Sequence, residues 1–321
     1  MTPSPAAFTV SVADLSFRGA DLHRPECVLA TARGDLFVSD RRGGVLHIQA
    51  DGQQRLVGSG TGLLPNGIAL LQDGSFLVAN LHSPGGVWTI SRDGQARPFL
   101  MEVDGMPLAA VNFVRLDAGG RVWICANPPL SADGRYRTEK AEGCIVVVDG
   151  SGARIAADSI AWANECLVHP NGRHLFVNET FGRRLTRFDI GPGATLSNRL
   201  VHSQFGHGSY PDGLALDEED GIWVIGVAAN RLIRVAPNGR PHVVLEDSDA
   251  AHLEGLEQAY LRHSLTRELL VTPTNTTLRS LSSIAFGGAD RRTVFLGAIA
   301  DTRLASFRSP VAGHAPIHWA W

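Results

Sequence analysis

The sequence predicts an all-β fold, a six-bladed β-propeller of four-stranded blades, and three observations lead there. A turn followed by a short apolar run recurs six times: GDLFVSD at 34–40, DGSFLVAN at 73–80, GGRVWICAN at 119–127, NGRHLFVNE at 171–179, DGIWVIGV at 220–227 and RRTVFLGAI at 291–299. The first five copies stand 40 to 52 residues apart, the length of a propeller blade. Glycine is abundant, 35 of 321 residues, while only 19% of residues are charged, which suits many tight turns between short strands. A chain of this length would ordinarily be read as two domains. Six copies of one unit instead make it one domain over residues 1–321.

Each unit holds the same elements in the same order. A short apolar run comes first: ECVLA from Glu26, NGIAL from Asn66, NFVRL from Asn112, NECLV from Asn164, DGLAL from Asp212 and SSIAF from Ser282. The turn and second run listed above follow. A third strand-like segment is GGVLHI at 43–48, GGVWTI at 85–90, GCIVVVD at 143–149, RRLTRFDI at 183–190, NRLIRVA at 230–236 and TRLASF at 302–307. A fourth follows in most units, as QQRLVG at 53–58 or PHVVLE at 241–246. One such sheet cannot bury both faces, and radial stacking covers them. The segments FTVSVA at 8–13 and HAPIHW at 314–319 are the candidates to close the ring.

Composition narrows the function. Lys+Arg 29 against Asp+Glu 32 gives a net charge of -3, without the clustered positive charge that nucleic acid or an anionic membrane needs. No apolar stretch approaches the roughly 20 residues of a spanning helix. The N-terminus has no basic region ahead of an apolar run, so it reads as no signal peptide and the protein as cytoplasmic. Cys27, Cys125, Cys144 and Cys166 form no CxxC pair and read as reduced and mostly buried. Twelve His include no HExxH, which leaves a zinc-protease reading unsupported.

Aligning the first runs brings out a polar ring. Glu26, Asn66, Asn112, Asn164, Asp212 and Ser282 open the six units, and in a propeller the first strand of every blade lines the central channel. A competing reading takes Asn66-Gly67 and Asp212-Gly213 as turn dipeptides. It does not reach Glu26, Asn112 or Asn164, which no Gly follows. Buried carboxylates need a partner. No Lys or Arg opens any of the six runs, so a cation is the expected one. Oxygen donors from Asp, Glu and Asn suit a hard divalent ion, Ca²⁺ first, then Mg²⁺ or Mn²⁺, with Zn²⁺ less favoured. Strand direction puts the loops joining the second and third strands, and those joining blades, on the ring's face. Two are long, 127–143 and 248–281. The second reads as a lid with Leu253, Leu256, Tyr260 and Leu265 at roughly helical spacing. His82 belongs to the same class of loop, and with Asn66, Glu165 and Ser282 it makes up the candidate substrate-binding set.

The runs PECVLATARGDLFVSD, PNGIALLQDGSFLVAN, ANECLVHPNGRHLFVNETFGRRLTRFDI, YPDGLALDEEDGIWVIG and SSIAFGGADRRTVFLG resemble the senescence marker protein / gluconolactonase / luciferin-regenerating enzyme family over about residues 20–308. The resemblance implies a propeller with one divalent metal in the channel, and Glu26, Asn164 and Asp212 match its ligands, with Asn112 a further ligand or a contact to water and substrate. Three departures stand out: Phe113-Val114 in place of the family's Asp-Gly, Ala109-Ala110 where some sugar lactonases carry a substrate-binding Arg, and Glu165 in place of Gly. They point to a substrate less polar than an aldonolactone. The stretch from Ala163 also resembles strictosidine-synthase-like propellers, which use no metal.

These readings lead to a metal-dependent hydrolase of a lactone, a small-molecule substrate, in a monomer or small homo-oligomer. Asp212 is the expected general base, with Asn112 also assigned to catalysis, while Glu26, Asn112, Asn164 and Asp212 hold the ion. The alternatives are an organophosphate-type phosphotriesterase on the same ring, a metal-independent lyase or condensing enzyme, and a non-catalytic binding propeller.

Overall fold

The computed structural model of the chain describes residues 8–274 and 276–321. Its strands form six four-stranded sheets and one two-stranded hairpin, Glu102–Val103 with Met106–Pro107. The inner strands are Val28–Ala30, Pro65–Leu70, Ala110–Leu116, Ala163–Val168, Pro211–Leu216 and Leu281–Gly287. Each pairs antiparallel with the apolar run that follows it, and successive inner strands pack side by side until the first meets the sixth. The result is the six-bladed propeller that the repeats predict.

Burial follows distance from the axis. The second strands Leu36–Asp40, Phe76–Asn80 and Ile222–Gly226 are buried at every position, because a neighbouring blade covers each face. Such strands read as continuous apolar runs rather than alternations. The outer strands Gln54–Val57 and Ala96–Leu100 are largely open to solvent. In the third and fifth blades the turn before the second strand is held by one aspartate. Asp117 accepts from the indole Nε1 of Trp123 at 2.8 Å, and Asp217 from that of Trp223 at 2.7 Å.

The ring closes differently from the sequence reading. Ser16–Arg18 pairs with Leu304–Arg308 as the outermost strand of the sixth blade. Neither 8–13 nor 314–319 joins that sheet. Val10 N donates to Val244 O at 2.7 Å, against the fifth blade. The tail crosses the channel end opposite the polar ring, where His314 N donates to Leu216 O and Ala32 N to Trp319 O. Pro310 and Pro316 remove ladder donors from the tail and suit it poorly to a strand.

The 248–281 insertion carries two helices, α1 at Ala250–Leu261 and α2 at Arg267–Val271, capped by the Asp249 and Thr266 side chains. The sequence pattern predicts the first helix; the second is too short for periodicity to show. Leu253 and Leu256 on α1, and Leu265 just beyond it, pack into a cluster with Phe181, Tyr210 and Val227. All four cysteines are free and buried, as expected. Among the described residues, no helix is long and apolar enough to cross a membrane.

Candidate functional site at the hub

Five inner strands slip register at the polar position, between Pro65 and Ile68, Val111 and Phe113, Ala163 and Cys166, Pro211 and Leu214, and Leu281 and Ser283. Such a bulge inserts a residue and re-aims a side chain. Asn66, Asn112, Asn164, Asp212 and Ser282 sit at these slips and Glu26 just ahead of the regular strand Val28–Ala30, and all six are buried. The turn reading of Asn66-Gly67 and Asp212-Gly213 fails, since both pairs lie inside strands. These glycines are there for space. A Cβ on Gly67 would stand 2.5 Å from Phe113 Cδ2, and one on Gly213 would stand 2.5 Å from the Ser282 carbonyl oxygen.

The six ring residues divide by what their polar atoms do. Ser282 Oγ donates to the Glu26 carbonyl at 2.9 Å, and Asn66 Nδ2 donates to the Asn112 carbonyl at 2.8 Å. Both clip one blade to the next. Glu165 does the same, with Oε2 accepting the Leu214 N–H that the bulge leaves free. Among the described residues, the other four spend no side-chain oxygen on a neighbouring blade's backbone. Asn112 Nδ2 donates to Asn164 Oδ1 at 2.6 Å. Asn164 itself is oriented by Thr180. The Thr180 hydroxyl spends its proton on the Pro211 carbonyl (2.8 Å), so its oxygen must accept from Asn164 Nδ2 (3.0 Å), which leaves Asn164 Oδ1 facing the axis. Two residues earlier, Asn178 Nδ2 donates to the Asp212 carbonyl at 2.8 Å. Asn178 and Thr180 thus fix Asn164 and the bulge at Asp212 together.

The electrostatics add residues that the sequence alignment missed. Arg24 takes a left-handed φ of 58° and curls its guanidinium over the ring. It pairs with Glu26 Oε2, and donates to Asn66 Oδ1 at 2.7 Å and to the Pro65 carbonyl at 3.0 Å. No Lys or Arg opens any of the six runs, yet one faces the ring: Arg24 lies two residues before the position compared, and its backbone turn brings it in. Burial, then the charges of Glu26 and Glu165, raises Asp212 well above the carboxylate range, with Arg24 and Arg267 opposing. Glu165 is pushed up to about 8, chiefly by burial, against the pull of Arg115 and the Leu214 N–H.

The donor set suits a hard cation. Among the described residues, Glu26 Oε1 and the Asp212 carboxylate oxygens accept no hydrogen bond, while Asn164 Oδ1 is held facing inward. No three His, Cys, Asp or Glu side chains among the described residues stand together in metal-holding geometry, so an ion at the hub depends on the amide oxygens of Asn112 and Asn164. That set disfavours Zn²⁺ and favours Ca²⁺.

Two long connections roof this end of the channel. Tyr136, from the third-blade loop, donates its N–H to the Leu265 carbonyl at 2.8 Å, and Arg135 bridges Thr266. Tyr260 of α1 donates its hydroxyl to the Phe181 carbonyl at 2.7 Å, while Arg183 pairs with Glu257 and stacks on Tyr260 at 3.8 Å. Tyr136, Trp162 and Phe181 form an aromatic wall with ring centres 4.7 to 5.6 Å apart. Burial raises the Tyr136 hydroxyl, and the Arg267 charge opposes it. His82 is exposed on the second-blade loop, and its side chain bonds no ring residue among the described residues.

The family model for the SMP-30/Gluconolactonase/LRE-like region matches residues 24–246. Among solved structures, the chain is similar to a gluconolactonase from Xanthomonas campestris at 18% identity and TM-score 0.68, over 91% of this chain and 88% of that one. It is similar to the calcium-binding protein regucalcin from Agrobacterium tumefaciens at 15% identity and TM-score 0.66, over 96% and 97%. It is also similar to a luciferin-regenerating enzyme at 15% identity and TM-score 0.66, over 98% and 96%.

Proposed function

Because the chain belongs to the SMP-30/gluconolactonase/LRE-like family, we propose that its hub hydrolyses a lactone with the aid of one divalent cation, Ca²⁺ in the first instance. The observation that carries this reading is the set of four oxygen-bearing side chains, Glu26, Asn112, Asn164 and Asp212, turned inward at one end of the channel without enough protein donors to satisfy them. When bound there, a divalent ion would polarise the lactone carbonyl.

The chain's own residues do the rest. Asp212 takes the proton of the attacking water on a carboxylate oxygen, and Asn178 and Thr180 hold its backbone still while it does so. Asn112 and Asn164 offer amide oxygens that would hold the ion and accept from the attacking water. Arg24 and Arg267 bring positive charge to the same space, where ring opening turns a neutral ester into a hydroxy-carboxylate. The wall of Tyr136, Trp162 and Phe181 excludes water and favours a lactone with an apolar portion. The 248–281 insertion acts as the lid.

The Arg24–Glu26 pair favours a second reading, a metal-independent lyase in which Arg24, with Arg267, supplies the positive charge at the hub. A panel of sugar and alkyl lactones, assayed with and without chelator on the parent and on Asp212→Asn and Glu26→Gln, separates the two. Lactone turnover that needs added Ca²⁺ and falls at least ~100-fold in Asp212→Asn is expected. Turnover indifferent to chelator points to the second reading, and no lactone turnover with full ion binding sinks the first.

A further inference from the structure

The opposite mouth of the channel holds a cavity of about 290 Å³ that the proposed reaction does not use. Its wall is the far end of the inner strands, including Ile68, Leu70, Leu214 and Ile284, and one side is the tail at Pro316 and Ile317. Aliphatic carbon dominates that lining. Of the charged side chains in it, Asp117 and Arg121 are bonded to each other at 2.6 Å. His169 is engaged by Asp220 at 3.1 Å. Arg115 is left over. It is half-buried, lies 5.3 Å from the Phe113 ring centre, and makes no hydrogen bond or ion pair among the described residues. His318 Nε2 is also buried there without a partner among them. A half-buried guanidinium costs solvation that a protein normally recovers with an anion.

We propose that this cavity is a second ligand site, for a small amphipathic carboxylate whose head pairs with Arg115 and whose chain lies along the inner-strand wall. Charge complementarity selects the head: the lining carries one unmatched positive charge. Size selects the tail, since a space of about 290 Å³ lies at the small end for ligand pockets and suits a short chain of roughly eight carbons. Octanoate has that size. Burial and the Arg115 charge hold His318 down at about 4, so it is neutral at pH 7 and does not compete for the carboxylate.

The test is calorimetric titration of the full chain with octanoate, and with octanol as the neutral match. Octanoate is expected to saturate one site with a Kd of ~0.1–1 mM, in keeping with a ligand of this size. Arg115→Met should weaken octanoate at least tenfold and leave octanol within twofold. Asp212→Asn, at the other end of the channel, should leave octanoate binding unchanged. Should Arg115→Met not fold, Ile317→Asp on the exposed rim sets a like charge beside the head and is expected to weaken octanoate several-fold. Octanoate bound equally well by the parent and by the Arg115 or Ile317 variant would overturn the proposal. So would loss of octanoate binding in Asp212→Asn, or no saturable binding by the parent.

Discussion

Replacing Thr180 with Val removes one oxygen and changes almost nothing else in shape, yet that oxygen joins two blades. Thr180 Oγ1 donates to the Pro211 carbonyl at 2.8 Å and accepts from Asn164 Nδ2 at 3.0 Å, and all three residues are buried. The substitution leaves one buried acceptor and one buried donor without partners, at about 1–3 kcal/mol each, so a loss of about 2–6 kcal/mol in folding stability is expected. It also frees the Asn164 amide to rotate, so Oδ1 is no longer held toward the hub. Losing an outer support of this kind typically weakens ion binding by ~10–100-fold. Competition between the protein and a fluorescent Ca²⁺ chelator measures that change directly, and denaturant unfolding gives the stability. Thr180→Ser retains the hydroxyl and should keep most of the affinity. If Thr180→Val binds Ca²⁺ as tightly as the parent while unfolding more easily, Thr180 serves the blade junction alone and the orientation argument for Asn164 is wrong.

Three further perturbations probe the same architecture. Gly213→Ala drives a Cβ to within 2.5 Å of a backbone carbonyl that cannot move freely, so about 3 kcal/mol of destabilisation by urea unfolding is expected. Gly150→Ala, which meets nothing within 4 Å, is the matched control, and equal effects from both would refute the close-approach account. Arg24→Met removes the charge that competes for Glu26, so Ca²⁺ affinity should rise several-fold while lactone turnover falls; weaker Ca²⁺ binding would instead make Arg24 a support of the site. Glu179, fully buried, is raised by burial but more strongly lowered by bonds from Arg184, Thr186, the Ala161 N–H and Arg199, so its folded pKa lies below its unfolded one. Its contribution is complete above the unfolded value and disappears as pH falls through the folded one. Stability measured from pH 7 downward should fall less steeply below about pH 4.5 in Glu179→Gln than in the parent, and parallel curves would count against the linkage.

Repeats are legible because every blade solves the same problem. Val, Ile, Leu and Phe in the second strands are needed on both faces, and the turn glycines recur with them, as at Gly74 with its φ of 83°. The ring positions could be read for the same reason, since a residue at one register in every unit must reach one place. Arg24, Arg267, Tyr136 and Thr180 carry no such signal. They lie in connections or at strand ends, at no shared register, and reach the hub through a left-handed turn, a short helix, a long loop and an interblade bond respectively.

Sequence alone therefore determined the number of blades, the strand order and the six residues that open the channel, because these rest on a hydrophobic period repeated along the chain. Only the tertiary structure decided which of the six present free oxygens to the hub and which serve as clips. It also decided that Ser16–Arg18 closes the ring and that Arg24 faces Glu26. The physical reason is range. Periodicity reports what one strand needs of its own two faces, whereas Ser282 reaching Glu26, or Thr180 reaching both Asn164 and Pro211, depends on where separate blades place their bulges once the ring is shut.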